Sequence, residues 1–559
     1  MKVPPLILTV LTLLVSIAIA STLFGSWGKP QVQSQLNLYQ SDLMLRATEW
    51  EGLNRSQADS PSIKTSLLGA DPLKEVIEQY QTVQTSVQQE LARSQQAQSP
   101  ATPSLSSVKP SEEFQEPISN TGPDPRPDTR RQLSDELTLR LGLLYAESGN
   151  RDKALKTWTA LLNAPAAQES LQTSVPTAQV LRGLWSDPPQ IFPQAEQVLN
   201  RHLKGWFRYQ GLAKLYTVQQ RPSAQSDLYD TEQAAAQSAF LRLLAVSVMP
   251  GLGSILGLII LVYWGVRAVL PRATGSASTD AEGFREAGVA SPNALGNGTP
   301  EGGASMRSLP PVFAMDEGPL QQTVLWPKET IWQTMVLWFT AFFAVSYLVV
   351  PLTIAVLGLN PAQFTGRAQA YVALFSYVCL TTVGLGILQL SLRPFIPNVL
   401  KWLPLRFSAN WIGWGISGYF VALPLVLVVS LLNQKLLQEQ GGGNPILEII
   451  LQGHDRLTIG LLWGLVAICA PLFEETLFRG FLLTSLTRYI PAWQAITLSG
   501  VLFAVAHLNL GDLLPLSVLG MLLGYVYLRS RNLLASMLLH SLWNSGSFVG
   551  LLILGSSNT

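Results

Sequence analysis

The chain has 559 residues, of which 48% are hydrophobic and 13% are charged, with 37 basic and 36 acidic side chains. Soluble globular proteins carry about 25% charged residues. This composition therefore excludes an ordinary soluble protein and indicates a polytopic membrane protein with a soluble part attached. The net charge of +1 gives no basis for nucleic-acid binding. The two cysteines, Cys379 and Cys469, lie in apolar runs and predict neither a disulfide framework nor a cysteine metal site.

The chain begins with a candidate targeting segment, residues 1–24, in which an apolar stretch at 4–24 follows the basic Lys2. A basic start and an apolar stretch are typical of a signal anchor or of a cleavable signal peptide. The small residues "AIAS" at 18–21 resemble a cleavage site, so both alternatives stay open. Either one predicts that the segment after it is exported.

Residues 25–240 are polar and predict an extracytoplasmic helical domain. An apolar stripe within 71–94 predicts a helix, and a stretch rich in Pro, Ser and Asp near 98–130 predicts a flexible linker. Residues 139–165 resemble one tetratricopeptide-type (TPR-like) helical hairpin. This hairpin is either a spacer or a docking surface for a protein partner. The resemblance depends on Leu141, Gly142, Tyr145, Gly149, Ala154, Trp158 and Pro165.

Apolar runs dominate the rest of the chain. A membrane helix is predicted at 244–266, a flexible linker at 273–325, and a membrane domain at 330–559. The fold is predicted to be all-α: a transmembrane bundle of about seven C-terminal helices, plus two helices that flank the extracytoplasmic domain. The two shortest runs predict tilted or paired helices, and "GMLLG" at 520–524 predicts close packing. The seven runs lie at about 332–357, 369–391, 410–432, 457–483, 492–508, 513–528 and 533–554.

Basic residues predict the orientation of the bundle. Arg393, Lys401 and Arg406 share one loop, Arg479 and Arg488 lie near a second, and Arg529 with Arg531 lies in a third. These loops fall on alternate sides of the predicted helices, which the positive-inside rule assigns to the cytoplasm. The chain is therefore predicted to be an integral multi-pass protein whose 25–240 domain faces a periplasm or a lumen.

Three polar motifs interrupt the last helices: "EETLFR" at 474–479, "FAVAH" at 503–507 and "HSLWN" at 540–544. Glu475 and Arg479 are four residues apart, so they can pair along one helix face. Glu474 is rotated about 100° from Glu475 and points to another face. Ionisable residues inside a membrane are functional candidates by default.

A carboxylate and two imidazoles inside a membrane bundle suit hydrolysis. Glu474 is the candidate general base, and His507 the group that holds and polarises a water. His540 and Asn544 are candidate oxyanion donors. Glu474, His507 and His540 also match the three protein ligands of a catalytic Zn²⁺ or another divalent metal. The sequence contains no HExxH motif, and a metal-free mechanism stays open. The alternative to a catalytic role is a structural one, in which these residues form an ion pair and interhelical hydrogen bonds.

The order EExxxR, FxxxH and HxxxN on consecutive late helices resembles the CPBP family. These are the CAAX proteases and bacteriocin-processing enzymes, also called type II CAAX prenyl endopeptidases or Abi proteins. The resemblance covers about 330–559. It implies that Glu474 and His507 activate water, that His540 and Asn544 form the oxyanion site, and that Glu475 and Arg479 are catalytic support or structural. It leaves the metal requirement open.

The predicted function is therefore that of an intramembrane endopeptidase, glutamate-dependent or metal-dependent, which acts on a membrane-embedded or lipid-modified protein in the bilayer. Two alternatives belong to other classes. One is a non-proteolytic scaffold that recruits a partner through the helical domain, and the other is a proton-coupled transporter. A transporter predicts internal repeats, whereas the polar motifs occur only in the last four helices.

Overall fold

In a computed structural model of the chain, the described residues are 3–27, 32–52, 67–98, 127–163, 174–269, 324–399, 403–407, 410–437, 449–450 and 455–555. Throughout this part of the chain, all regular secondary structure is helical. This confirms the predicted all-α class. The predicted linkers at 98–130 and 273–325 lie outside the described residues except at their ends.

The polar N-terminal region folds into short helices that follow the first apolar helix, α1 (Pro5–Trp27). Their inner faces share one apolar core, in which Tyr80, Trp158 and Phe207 are almost fully buried. The helix predicted at 71–94 is confirmed and runs to Gln98, with the Asp71 side chain accepting from the backbone N–H of Lys74 at its start. The helices are α2 (Val32–Thr48), α3 (Pro72–Gln98), α4 (Pro127–Glu147), α5 (Arg151–Leu162), α6 (Ser174–Leu184), α7 (Ala195–His202) and α8 (Gly205–Val218).

Helices α4 and α5 follow one another across a short turn at 148–150, and their apolar residues lie in the same core. Gly149 turns the chain between them with φ +81°, a left-handed conformation that favours glycine. A Cβ at Gly142 would lie 2.1 Å from Nε1 of Trp158. The indole therefore lies directly on the α4 backbone, where its Nε1 donates to the carbonyl of Leu139 at 3.2 Å. The assignment to the tetratricopeptide type stays a prediction, and its last residue, Pro165, lies outside the described residues.

A single helix, α9 (Pro222–Val269), joins the soluble part to the membrane part. The sequence predicted only its apolar half, 244–266. The observed helix has 48 residues and keeps Pro250 inside it, and at 1.5 Å per residue it is about 70 Å long. A Cβ at Gly257 would lie 1.9 Å from the carbonyl oxygen of Phe420, so this glycine permits close packing against a helix of the bundle.

Seven helices follow, one for each apolar run predicted from the sequence. In the described part of the chain, eight helices are long and apolar enough to cross a membrane: α1, α9 and six of the C-terminal helices. The ninth, α14, is shorter, as predicted. The seven are α10 (Lys328–Val356), α11 (Gly366–Leu392), α12 (Asn410–Leu437), α13 (Arg456–Leu486), α14 (Ala492–Val505), α15 (Leu513–Ser530) and α16 (Leu533–Gly555).

The two short helices α14 and α15 pack backbone to backbone. A Cβ at Gly520 would lie 2.8 Å from Cα of Gly500, and a Cβ at Gly500 would lie 2.8 Å from the backbone nitrogen of Met521. Small residues permit such close approach between membrane helices. This confirms the close packing predicted for "GMLLG" and brings α15 near the polar motif of α13.

The helical domain and α1 both pack against the bundle. Leu36 and Tyr39 of α2 pack on an apolar cluster that includes Phe548 and Leu551 of α16. In α1, the Ser26 hydroxyl accepts from the backbone N–H of Leu510, in the loop between α14 and α15, at 3.2 Å. The first helix is thus in contact with the segment that follows "FAVAH".

We expect Gly520→Ala to destabilise the bundle. Alanine is normally favoured over glycine in a helix by about 1 kcal/mol, but here its Cβ meets the Gly500 backbone, which has no flexible side chain that can move away. Overpacking of this kind costs about 1–3 kcal/mol. Thermal unfolding of the detergent-solubilised protein measures the loss as a lower Tm.

Gly386→Ala on α11 is the matched control, because a Cβ at Gly386 meets nothing within 4 Å. Its Tm should stay the same or rise. Equal Tm values for the two variants would contradict the close contact between α14 and α15.

Candidate active site

The polar motif of α13 lies in a helix that contains two π-helical segments. The helix is α-helical over Arg456–Gly464, π-helical over Leu465–Cys469, α-helical over Ala470–Glu475 and π-helical over Thr476–Leu483. Pro471 follows the first π-helical turn and supplies no backbone N–H. Short π-helical turns occur frequently at functional sites. Glu474 and Glu475 lie between the two.

Glu475 and Arg479 form the predicted ion pair. Nη1 of Arg479 lies 2.7 Å from Oε1 of Glu475, and both side chains are fully buried. Nη2 of Arg479 donates to the carbonyl of Gly520 at 3.0 Å, and its guanidinium lies 4.5 Å from the ring centroid of Phe503. This one arginine therefore joins α13, α14 and α15.

His540 of α16 completes this buried cluster. Its Nδ1 lies 2.9 Å from Oε1 of Glu475, the same oxygen that binds Arg479. Because an ionised carboxylate can only accept, Nδ1 carries the proton and donates. The other ring nitrogen, Nε2, lies 3.9 Å from Oε2 of Glu474. The sequence grouped His540 with Glu474 as candidate metal ligands, whereas the observed ring lies between the two glutamates.

Glu474 has a different environment from Glu475. Its side chain is 18% exposed, and its Oε1 accepts from the hydroxyl of Tyr377 on α11 at 3.3 Å. Its Oε2 has no hydrogen-bond partner among the described residues. Tyr377 was not predicted from the sequence, since a single tyrosine in an apolar helix, 97 positions before its partner, gives no pattern to read.

His507 lies apart from the cluster. Helix α14 ends at Val505, and His507 occupies the turn after it, followed by Leu508 with φ 52°. The ring is exposed, and its Nδ1 donates to the carbonyl of Phe503 at 2.9 Å. Within the described residues, no hydrogen bond joins it to Glu474. The Phe503 ring separates the two imidazoles, at 4.9 Å from His507 and 5.6 Å from His540.

The loop around His507 has an acidic neighbour at the start of α15. Burial raises the pKa of the Asp512 carboxyl, whereas the charge of His507 and a hydrogen bond from Asn509 act in the opposite direction. The Asn509 amide donates to Asp512 at 2.7 Å. His507 is therefore coupled electrostatically to Asp512 on its own loop.

Asn544 contacts α13 at a point before the glutamates. Its Nδ2 donates to the backbone carbonyl of Val466 at 2.7 Å. The structure thus brings together Glu474, Glu475, Arg479 and His540, and it places His507 and Asn544 at the edges of this cluster.

The predicted metal ligands do not form a set of three. Glu474 and His540 approach each other, but His507 hydrogen-bonds to its own helix. In the part of the chain that the structure describes, no three His, Cys, Asp or Glu side chains are grouped so that they could hold a metal ion. A catalytic zinc site needs three protein ligands, so this arrangement does not fit one and we derive no step through a metal.

Comparisons with known proteins place this cluster in a family. The family model described as type II CAAX prenyl endopeptidase Rce1-like matches residues 456–546, a range that contains all six polar residues. The UPF0177 protein YxdF of Lactococcus lactis subsp. lactis (strain IL1403) is 30% identical over 163 residues, which are 28% of this chain and 86% of that protein. No solved structure matches the chain significantly. The chain therefore belongs, through its C-terminal membrane domain, to the Rce1-like type II CAAX prenyl endopeptidases, a family of intramembrane proteases.

Proposed function

We propose that the chain hydrolyses a peptide bond of a membrane-associated substrate with a water molecule activated by Glu474. The observation that carries this proposal is the approach of Glu474 Oε2 to His540 Nε2, at 3.9 Å. Oε2 of Glu474 has no hydrogen-bond partner in the described part of the chain, and the hydrogen bond from His540 to Glu475 uses the other ring nitrogen, Nδ1. Two acceptors that face each other at this distance suit a water that donates to both.

The different surroundings of Glu474 and Glu475 suit them to different roles. Oε1 of Glu475 is committed to Arg479 and His540, and its side chain is fully buried. Its second oxygen also has no partner in the described residues, but it is out of reach of a substrate. The Glu474 side chain is 18% exposed, although its Oε2 is itself buried, so Glu474 is the more accessible of the two carboxylates.

Charge favours Glu474 as the base. With His540 neutral, the cluster holds two carboxylates and one guanidinium, and its net charge is −1. Uncompensated charge is unfavourable in a low-dielectric interior. When Glu474 takes a proton from water, the negative charge passes to the hydroxide, which attacks the peptide carbonyl carbon. Glu474 then gives the proton to the leaving amine as the C–N bond breaks.

The remaining roles follow from position. Glu475 orients His540 through Nδ1, so Nε2 is directed at the reacting water. The oxyanion role that the sequence resemblance implies for His540 would need a second proton on Nε2, taken from solvent before the reaction begins. The sequence assigns His507 to the water as well. Its ring lies across Phe503 from His540, so a substrate that enters beside Phe503 would meet both imidazoles.

The proposed substrate is a membrane-embedded or lipid-modified protein, because the reacting groups lie within apolar helices. The proposed orientation has the helical domain outside the cytoplasm. Two of the basic loops lie together: the Arg406 N–H donates to Oδ1 of Asn532 at 3.3 Å, beside Arg531. Clustered basic loops favour the cytoplasmic side for this end of the bundle.

We expect Glu474→Gln to lower kcat by about 10²–10⁴-fold, the usual contribution of a general base, without lowering Tm. Glu475→Gln should also lower kcat, but it should lower Tm as well, because it leaves the buried Arg479 charge without its carboxylate, at a cost of about 3–5 kcal/mol. Proteoliposomes with fluorogenic peptides, with and without a prenylated cysteine near the C-terminus, measure kcat.

Glu329→Gln, an exposed glutamate at the start of α10, is the control and should behave as the parent protein does. Persistent cleavage by Glu474→Gln would show that Glu474 is not the base. Absence of cleavage by the parent protein on membrane substrates of both kinds would instead favour the scaffold alternative.

We expect Tyr377→Phe to lower kcat by about tenfold with little change in KM. The hydroxyl holds one oxygen of Glu474 and leaves the other directed at His540, and a hydrogen bond to a charged group contributes about 1.5–3 kcal/mol. Tyr371→Phe is the matched control, since Tyr371 lies on the same helix with 49% of its surface exposed. Equal kcat values for the two variants would argue against a role for Tyr377.

We expect catalysis to continue after treatment with a metal chelator. Only two of the three predicted ligands converge, so the proposed water activation depends on Glu474 and His540 themselves. Elemental analysis of the active, purified protein should find far less than one equivalent of zinc. One equivalent of a divalent metal that is lost in His507→Ala, together with activity, would contradict this expectation.

A further inference from the structure

Asn544 contacts the backbone of α13. Its Nδ2 donates to the carbonyl of Val466 at 2.7 Å, across 78 positions of sequence. We propose that Asn544 is a positioning residue whose amide replaces the N–H that Pro471 lacks, and so holds the turn that presents Glu474. Its effect on catalysis rests on the proposed function. This job differs from the oxyanion role that the sequence resemblance implies.

The winding of α13 explains why this carbonyl needs a donor. At the end of the π-helical turn Leu465–Cys469, the N–H of Ala470 donates to the carbonyl of Leu465, five residues back. The next N–H in this pattern would come from residue 471 and would bond to Val466. Residue 471 is proline and has no N–H to give. If the five-residue pattern extended one residue further, the carbonyl of Val466 would be the one that the proline leaves without a backbone donor.

The membrane makes this gap important. In hydrocarbon no water is present to bond a free carbonyl, so a backbone group that loses its partner must find another inside the protein. Side chains of neighbouring helices supply such partners beside prolines in membrane helices. The Asn544 amide does so here, because it lies close enough to donate directly.

The same face of α16 holds α13 at a second point. His540 and Asn544 are four residues apart and therefore share one helix face. His540 binds Glu475, after the proline, and Asn544 binds Val466, before it. Glu474 lies in the short stretch between these two attachments. Loss of either one frees the stretch that carries the proposed base, and small misplacements of a reacting group are costly in rate.

The chain contains a matched comparison in α10. There the π-helical turn Val345–Val349 is followed by Val350, whose N–H donates to Val345, and then by Pro351. The local order of π-helical turn, one residue and proline is the same as in α13. Pro351 is therefore the control for any effect of removing Pro471.

The test is a rescue experiment on the full-length protein. Asn544→Ala should lower Tm by about 2–4 °C and kcat by about tenfold. Pro471→Ala restores an N–H at the position that can bond to Val466. In the double variant, removing Asn544 should then cost nothing relative to Pro471→Ala alone, in Tm and in kcat. Pro351→Ala combined with Asn544→Ala should restore neither.

A second substitution covers the case in which Pro471→Ala does not fold. Asn544→Asp has nearly the same shape but no N–H, and its carboxylate faces the Val466 carbonyl. It should lower Tm further than Asn544→Ala does. A Tm equal to that of the parent protein in both variants would overturn the proposal.

The outcomes separate this proposal from the proposed function. If Pro471→Ala fails to restore Tm in the Asn544→Ala background, the amide does not replace the missing N–H and the proposal is wrong. If Tm is restored and kcat is not, Asn544 touches the reacting atoms and a positioning role is overturned. If the parent protein cleaves no probe, the proposed function fails, while the Tm comparison still decides the role of Asn544.

Discussion

The membrane domain is organised around a charge that cannot be left alone in hydrocarbon. Arg479 is fully buried, and its guanidinium is offset by Glu475 on the same helix, by the carbonyl of Gly520 and by the ring of Phe503. The three partners belong to α13, α15 and α14, so one buried cation holds these three helices together. Breaking a buried ion pair is strongly destabilising because it leaves an uncompensated charge. The close contact of α14 with α15 is part of the same arrangement, since Gly520 provides both the small surface and the carbonyl.

This constraint also separates two neighbouring carboxylates. Glu475 accepts hydrogen bonds from both Arg479 and His540. If it moved, the buried charge of Arg479 would lose its carboxylate partner. Glu474 forms no ion pair with Arg479 among the described residues. It contacts the hydroxyl of Tyr377 and faces Nε2 of His540. The ion pair thus acts on Glu474 indirectly: it holds Glu475 in place, Glu475 binds His540, and the His540 ring faces Glu474.

Much of this could be predicted from the sequence, for reasons that can be named. Hydropathy located every helix of the bundle, because a span needs about 20 apolar residues in a row. The four-residue spacing of Glu475 and Arg479 gave their pairing. Contacts between distant elements could not be predicted in this way. The contact of Tyr377 with Glu474 depends on how α11 is rotated against α13. The contact of His540 Nδ1 with Glu475 depends in the same way on α16.

His507 shows a second limit of the sequence. Its position in the motif "FAVAH" led to the prediction that it holds the reacting water inside the bundle, together with Glu474. The helix ends two residues earlier, and the ring bonds to its own backbone instead. The soluble part shows a third limit: 244–266 was predicted as a separate membrane helix, but α9 begins at Pro222 and continues through Pro250. Apolar composition marks where a helix enters the membrane, and it says little about where that helix begins.

The backbone of α13 follows from the same membrane logic as its charges. "CAPLFEETLFR" contains a proline three residues before Glu474, and the proline removes a hydrogen bond where water cannot replace it. The helix widens into a π-helical turn, and a side chain of α16 reaches the freed carbonyl. In α10, a proline after a π-helical turn occurs without acidic residues beside it. A widened turn is therefore not sufficient for a site. In α13 the site arises because one face of α16 binds both Glu475 and the carbonyl that precedes the proline, with Glu474 between these two contacts.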